Sequence, residues 1–184
     1  MATYRVAVLV GSLRKEAFSR RVAQALCAMQ PASLQMEIVE IAMPLYNQDL
    51  ETDAPPAEWT AYRDKLRAAQ AVLFVTPEYN RGMTGAIKNA IDVGSRPYGK
   101  AAINGKPCAV ASTSPGALGG FGANHQVRQS VVFLDMPMMP APELYVGYVD
   151  KMVEAGGKVA NDATRDLFAK FLDRFADFVQ RNAR

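Results

Sequence analysis

"VLVGSLRKEAFSRRVAQAL", residues 8–26, sets an apolar run against a single glycine, then Ser12, Arg14, Lys15 and Ser19, then a helical pattern. That is the outline of an anion-binding turn. A helix start leaves four unpaired N–H groups and about half a positive charge, and a phosphate placed there satisfies both. The hydroxyls of Ser12 and Ser19 and the guanidinium of Arg14 are suited to complete the shell. Gly11 is the only glycine in the turn. A dinucleotide fingerprint needs further glycines so that backbone can approach a pyrophosphate. Here side chains stand in those places, which suits a terminal phosphate monoester better. Taken alone, the stretch reads equally as an ordinary strand–helix turn with a serine cap and solvated cations.

Working outward, short apolar runs recur at 4–10 (YRVAVLV), 36–42 (MEIVEIA), 71–76 (AVLFVT), 106–113 (KPCAVAST) and 143–147 (ELYVG). The nearly continuous 71–76 run predicts a strand buried on both faces, and the partly alternating 36–42 run one with a less covered face. Helical spacing joins Phe18, Val22, Leu26 and Met29; Trp59, Tyr62 and Leu66; Ile87 and Ile91 within 85–94; and Val127, Val131 and Leu134 within 123–136. The last helix carries Leu167, Phe168, Phe171, Leu172, Phe175, Phe178 and Val179 as a core-facing stripe. Alternating strand and helix predict an α/β fold: a flavodoxin-like three-layer sandwich, with a five-stranded parallel sheet in the order 2-1-3-4-5 and helices on both faces. Residues 1–184 read as one domain of that size.

In such a sheet ligands sit at the carboxyl ends of the strands, which selects the loops at 11–19, 77–85 and 112–124. In the second, "TPEYNRGMTGAIKNAID" (76–92), Pro77 ends the strand and Glu78, Tyr79 and Asn80 project beyond it. A tyrosine beside an amide suits a flat heteroaromatic ring; a generic turn with a packed tyrosine is the alternative. The third, "STSPGALGGFGANHQ" (112–126), holds Gly116, Gly119, Gly120 and Gly122, which imply either a mobile connection or backbone brought close to a ligand.

Bulk properties exclude several classes. Twenty-one basic against 18 acidic residues give a net charge of +3, too weak an excess to argue for nucleic acid. No apolar run approaches the ~20 residues of a membrane span, and the first residues lack a signal-peptide layout, so a cytoplasmic location is expected. Cys27 and Cys108 read as small buried hydrophobes in a reducing compartment. His125 reads as a helix-start or surface residue, and neither a nucleophile elbow nor a metal-ligand spacing is present.

The motifs "GSLRKxxFS" after the first strand and "PEYNxxxxGxxKNAID" after the third resemble the NADPH-dependent FMN reductase family, and within it the bacterial quinone and chromate reductases, over roughly residues 4–150. The resemblance implies bound FMN, with NADPH or NADH as electron donor and quinones, chromate or other small compounds as acceptors. It implies a cofactor site of Ser12, Leu13, Arg14, Phe18 and Ser19 around the phosphate, and of Pro77, Glu78, Tyr79, Asn80 and Ser112 around the ring, largely through backbone groups. Arg81, Arg96 and Lys100 stand as cations for the donor's phosphates or an anionic acceptor, or as solvated charges. No protein catalytic residue or metal is implied, because the cofactor carries the hydride chemistry. A homodimer or homotetramer is expected, with 131–147 (VVFLDMPMMPAPELYVG) either a contact surface or internal core. Ala17, Gly82, Thr84 and Val93 depart from the residues common in the family (serine for Ala17 and Gly82, proline for Thr84, tryptophan for Val93), which bears on the pocket rim. The rival readings are a reductase that supplies free reduced FMN to a partner monooxygenase, a flavodoxin-type electron carrier, and a non-flavin domain for another phosphorylated ligand. The slightly basic charge disfavours the carrier.

Overall fold

Strands β1 (Tyr4–Val10), β2 (Leu34–Val39), β3 (Ala71–Pro77), β4 (Cys108–Thr113) and β5 (Leu144–Val146) form one parallel sheet in the order β2-β1-β3-β4-β5. The computed structural model describes residues 3–183. Helices α1 (Phe18–Ala28), α2 (Ala57–Ala68), α3 (Gly85–Gly94), α4 (Phe121–Val132), α5 (Val149–Met152) and α6 (Asp162–Asn182) cover it.

Alternation along the central strands divides the core into two layers. Val6, Val8, Val10, Leu73, Val75, Ala109 and Ala111 pack with α1 and α6; Ala7, Leu9, Val72, Phe74 and Val110 pack with α2, α3 and α4. All of β3 except Pro77 is buried, as its unbroken apolar run requires. Gly11 leaves β1 where a Cβ would lie 2.5 Å from Thr76 Oγ1 and 2.8 Å from Ile87 Cγ1, so it is the close approach of β3 and α3 that demands glycine.

Several boundaries differ from expectation. Strand β2 lies at 34–39 rather than 36–42, because Glu40 Oε1 accepts from the N–H groups of Ile41 (2.9 Å) and Ala42 (2.8 Å) and withdraws them from the ladder. The fifth strand is split: Met138 bridges Cys108, and the ladder resumes only at Leu144–Val146. Within 131–147, Val131, Leu134, Met136, Met139, Leu144 and Val146 are buried, so most of the segment is core, while Val132 and Phe133 are exposed. In α6, Phe168, Phe171, Leu172, Phe175 and Val179 are buried but Leu167 is exposed and Phe178 only half-buried, narrowing the expected stripe. Met29 caps α1 rather than extending it. The sheet thus aligns the ends of β1, β3 and β4, with Pro77 opposite Thr113, and brings three loops to one edge.

Candidate functional site

At that edge a cleft of about 180 Å³ is lined by Ser12, Arg14, Ala17, Phe18 and Ser19 from the first loop, Pro77, Glu78 and Tyr79 from the second, and Thr113, Ser114 and Pro115 from the third. The first loop supplies an open helix start. Ala17, the N-cap of α1, is extended at φ −67°, ψ 140° and has no side chain to accept from the first turn. Ser12 is buried and its Oγ accepts weakly from the Arg14 N–H at 3.4 Å. Ser19, in the first turn, is fully buried, yet its hydroxyl has no protein partner. Arg14 is exposed and has no carboxylate partner among the described residues. The result is a concentration of donors and positive potential with nothing in the protein to answer it.

Thr113 adds a second buried hydroxyl without a partner, on the opposite wall. It shares the cleft with Ser19. Ser112, the residue named from the sequence, does not bring its side chain there: its Oγ accepts from Asn124 Nδ2 of α4 at 3.3 Å. Strand alternation is the reason. Ser112 shares a face with Val110 toward α4, and Thr113 shares one with Ala111 toward α1. That period, applied to 108–113, was the signal available for Thr113.

The second loop is a tight hairpin. Tyr79 and Gly82 exchange both backbone hydrogen bonds at 3.0 Å, and Asn80 and Arg81 between them have φ of 51° and 65°, the signature of a type I′ turn. Tyr79 is half exposed on the cleft rim, and Asn80 points to solvent. Glu78 lines the cleft, but its carboxylate accepts from the Ala123 N–H at 3.1 Å and from Arg81 at 3.2 Å. Leu13 is exposed and lies outside the cleft lining; the Phe18 ring sits 5.2 Å beneath the Arg21 guanidinium.

Arg96 and Lys100 are not brought to the cleft. They follow the far end of α3, whose ten residues span about 15 Å, and Arg96 lies over the Tyr46 ring at 5.9 Å. The glycine loop is packed rather than loose. A Cβ on Gly119 would come within 2.7 Å of Tyr145 C, and one on Gly120 within 3.0 Å of Ser112 Cβ.

The four departures acquire local reasons. Thr84 is the N-cap of α3, its hydroxyl accepting from Ile87 N–H at 3.3 Å, which proline there has no means to do. A Cβ at position 82 would lie 2.7 Å from Gln126 Oε1. Val93, within α3, is wholly buried in the core layer that α3 shares with α2, and it does not border the cleft. Ala17 alone touches it.

His125 bonds Tyr145 Oη through Nε2 at 3.0 Å, outside the cleft lining. Burial, helped by the hydrogen bond and charge of Glu143, pushes the Tyr145 phenol up to about 12. No grouping of three or more metal-ligating side chains occurs among the described residues. Among them, no helix is long and apolar enough to cross a membrane.

Residues 4–151 match the family model for NADPH-dependent FMN reductase. A quinone reductase of Pseudomonas putida is 59% identical over 180 residues, covering 97% of this chain and 96% of the relative. A quinone reductase of Escherichia coli is 37% identical over 181 residues, covering 96% of each. The solved structure of FerB, a flavoenzyme NAD(P)H:(acceptor) oxidoreductase of Paracoccus denitrificans, superposes with a TM-score of 0.92 at 36% identity, covering 99% of this chain and 100% of that one.

Proposed function

Because the chain belongs to the NADPH-dependent FMN reductase family, we propose that it is an FMN-dependent quinone reductase, working within one domain and using NADPH or NADH as donor. The observation that carries the site reading is the pair of buried, unpartnered hydroxyls of Ser19 and Thr113 in one cleft at an uncapped helix start. A ligand with phosphate at one end and hydrogen-bonding heteroatoms further along answers both, and FMN has that form.

In this reading the first-turn amides of α1, the hydroxyls of Ser12 and Ser19 and the guanidinium of Arg14 bind the phosphate. Thr113 offers its hydroxyl to the body of the cofactor, and the backbone of 77–80, with the Tyr79 ring, holds the edge of the flavin. Bound there, FMN would supply two-electron chemistry, relaying the hydride equivalent of a reduced nicotinamide to a quinone, whose reduction to hydroquinone takes two electrons and two protons, one of them from solvent. The protein fixes orientation and excludes water; no side chain needs to act as nucleophile or base. Ser112 serves indirectly, holding β4 to α4. Arg81, exposed on the turn and paired with Glu78, is assigned to meet an anionic donor or acceptor.

Chromate as a further acceptor, a cytoplasmic location and a homodimeric or homotetrameric state belong to the same proposal. The exposed Val132 and Phe133 at the end of α4 favour self-association. The test is an anaerobic assay on protein desalted free of unbound flavin. One hydroquinone per NADPH, without added FMN, is expected. Activity that appears only when FMN is free to exchange across a dialysis membrane would replace this reading with that of a free-flavin supplier.

A further inference from the structure

Helix α4 begins without a cap of its own. Its N-cap is Gly120, at φ 80°, which has no side chain to offer. The first turn is served from elsewhere: Glu78, 45 residues earlier and on the other side of the cleft rim, places Oε2 3.1 Å from the Ala123 N–H. A carboxylate at a helix N-terminus is favoured by both the free amides and the dipole. The other oxygen accepts from Arg81 at 3.2 Å, and the Glu78 side chain is only 10% exposed.

Two neighbouring contacts make this joint specific. Gly122 has no room for a side chain, since a Cβ would lie 2.5 Å from Arg81 O and 2.9 Å from Glu78 Oε2. Met83 N–H donates to Gln126 Oε1 of α4 at 2.6 Å. The Tyr79–Gly82 turn is thus clamped to α4 at both ends. By itself it is a two-residue hairpin with an arginine in the left-handed region, a conformation with little stability of its own.

Resting on the flavin reading of the cleft, we propose that Glu78 is a positioning residue: it caps α4 across the rim and thereby holds the 77–82 turn in its binding geometry before the cofactor arrives. A turn left mobile must be ordered on binding, and affinity falls by the population that is not competent.

The test compares wild type with Glu78→Ala, which removes the acceptor, and Glu78→Gln, which keeps one. Amide hydrogen exchange at Ala123 and Met83 is measured on ligand-free protein, and FMN dissociation constants by quenching of flavin fluorescence. Glu78→Ala is expected to raise both the exchange rates and the FMN dissociation constant roughly five- to ten-fold, the change a lost cap of ordinary strength produces. Glu78→Gln is expected to restore most of both. Gly122→Ala, which keeps Glu78 but forces the joint apart, is expected to reproduce the Glu78→Ala pattern and covers the case in which that variant folds poorly. Weaker FMN binding with unchanged exchange at Ala123 would make Glu78 a direct ligand contact and overturn the proposal; so would unchanged values of both. Failure of wild type to bind FMN would sink the flavin reading, while the exchange data would still decide the cap.

Discussion

Ser112 Oγ accepts from Asn124 Nδ2 at 3.3 Å, so β4 turns its last residue, Thr113, and not Ser112, to the cleft. The two hydroxyls are adjacent in sequence and opposite in role. Thr113→Val removes a buried hydroxyl that lacks a protein partner, and is expected to stabilise the ligand-free protein by about 1 kcal/mol while weakening FMN binding. Ser112→Ala leaves the buried Asn124 amide with only the long 3.5 Å contact to Val110 O and is expected to destabilise by about 1–3 kcal/mol with little change in FMN affinity once folded. Thermal melts and FMN titrations of the two variants check both signs; the reverse pattern would move the site to the other face of β4.

Ala17 offers a gain of function. The residue sits in N-cap geometry with no side-chain acceptor. Ala17→Ser is expected to stabilise α1 by about 1 kcal/mol and to add a phosphate hydroxyl, tightening FMN binding. Arg14→Ala is expected to weaken FMN binding by about 1.5–3 kcal/mol through loss of a charge-assisted bond. Equilibrium titration of both variants measures the pair; unchanged affinity in Arg14→Ala places the phosphate elsewhere.

Outside the site, Arg63 carries a structural load. Its guanidinium meets Glu51 at 2.8 and 2.6 Å and donates through Nε to Val93 O at 3.0 Å, with 4% of its side chain exposed. The pair ties the segment after β2 to α2 and α3. Arg63→Met leaves Glu51 without its partner and is expected to cost about 3–5 kcal/mol, lowering the melting temperature by roughly 10 °C. A melt within 2–3 °C of wild type would mean that the pair contributes little.

The thiols are expected to be inert in the native protein. Burial pushes Cys27 up to about 11 and raises Cys108 further, against the opposing charge of Arg128. At pH 8 Cys27 is then about one part in a thousand thiolate. A thiol-specific disulfide reagent is expected to label neither cysteine on the minute scale at pH 8 and both after unfolding. Rapid native labelling would contradict the burial assigned to them.

Much of this architecture was legible because β1, β3 and β4 are buried on both faces and therefore written as apolar runs, with Gly11 and Pro77 marking their ends. The cleft's first wall was legible for the same reason, since Ser12, Arg14 and Ser19 follow one such run directly. What escaped depends on contacts distant in sequence. The start of α4 at Phe121 was hidden because its cap is Glu78. The split fifth strand follows from pairing with β4 at two places, Met138 at Cys108 and Leu144–Val146 at Ala111–Thr113, on either side of a proline-rich excursion. Arg96 and Lys100 follow the end of α3 away from the 77–82 turn, beyond a helix about 15 Å long, and neither lines the cleft.

The phosphate end of the cleft is tested most directly by titrating ligand-free protein with FMN and with riboflavin in parallel. The two ligands differ only by the phosphate that the 12–19 turn is assigned to hold. FMN is expected to bind at least roughly 100-fold more tightly than riboflavin, the worth of two charge-assisted bonds, and most of that difference is expected to vanish in Arg14→Ala. Equal affinities for the two, or no uptake of either, would contradict the account.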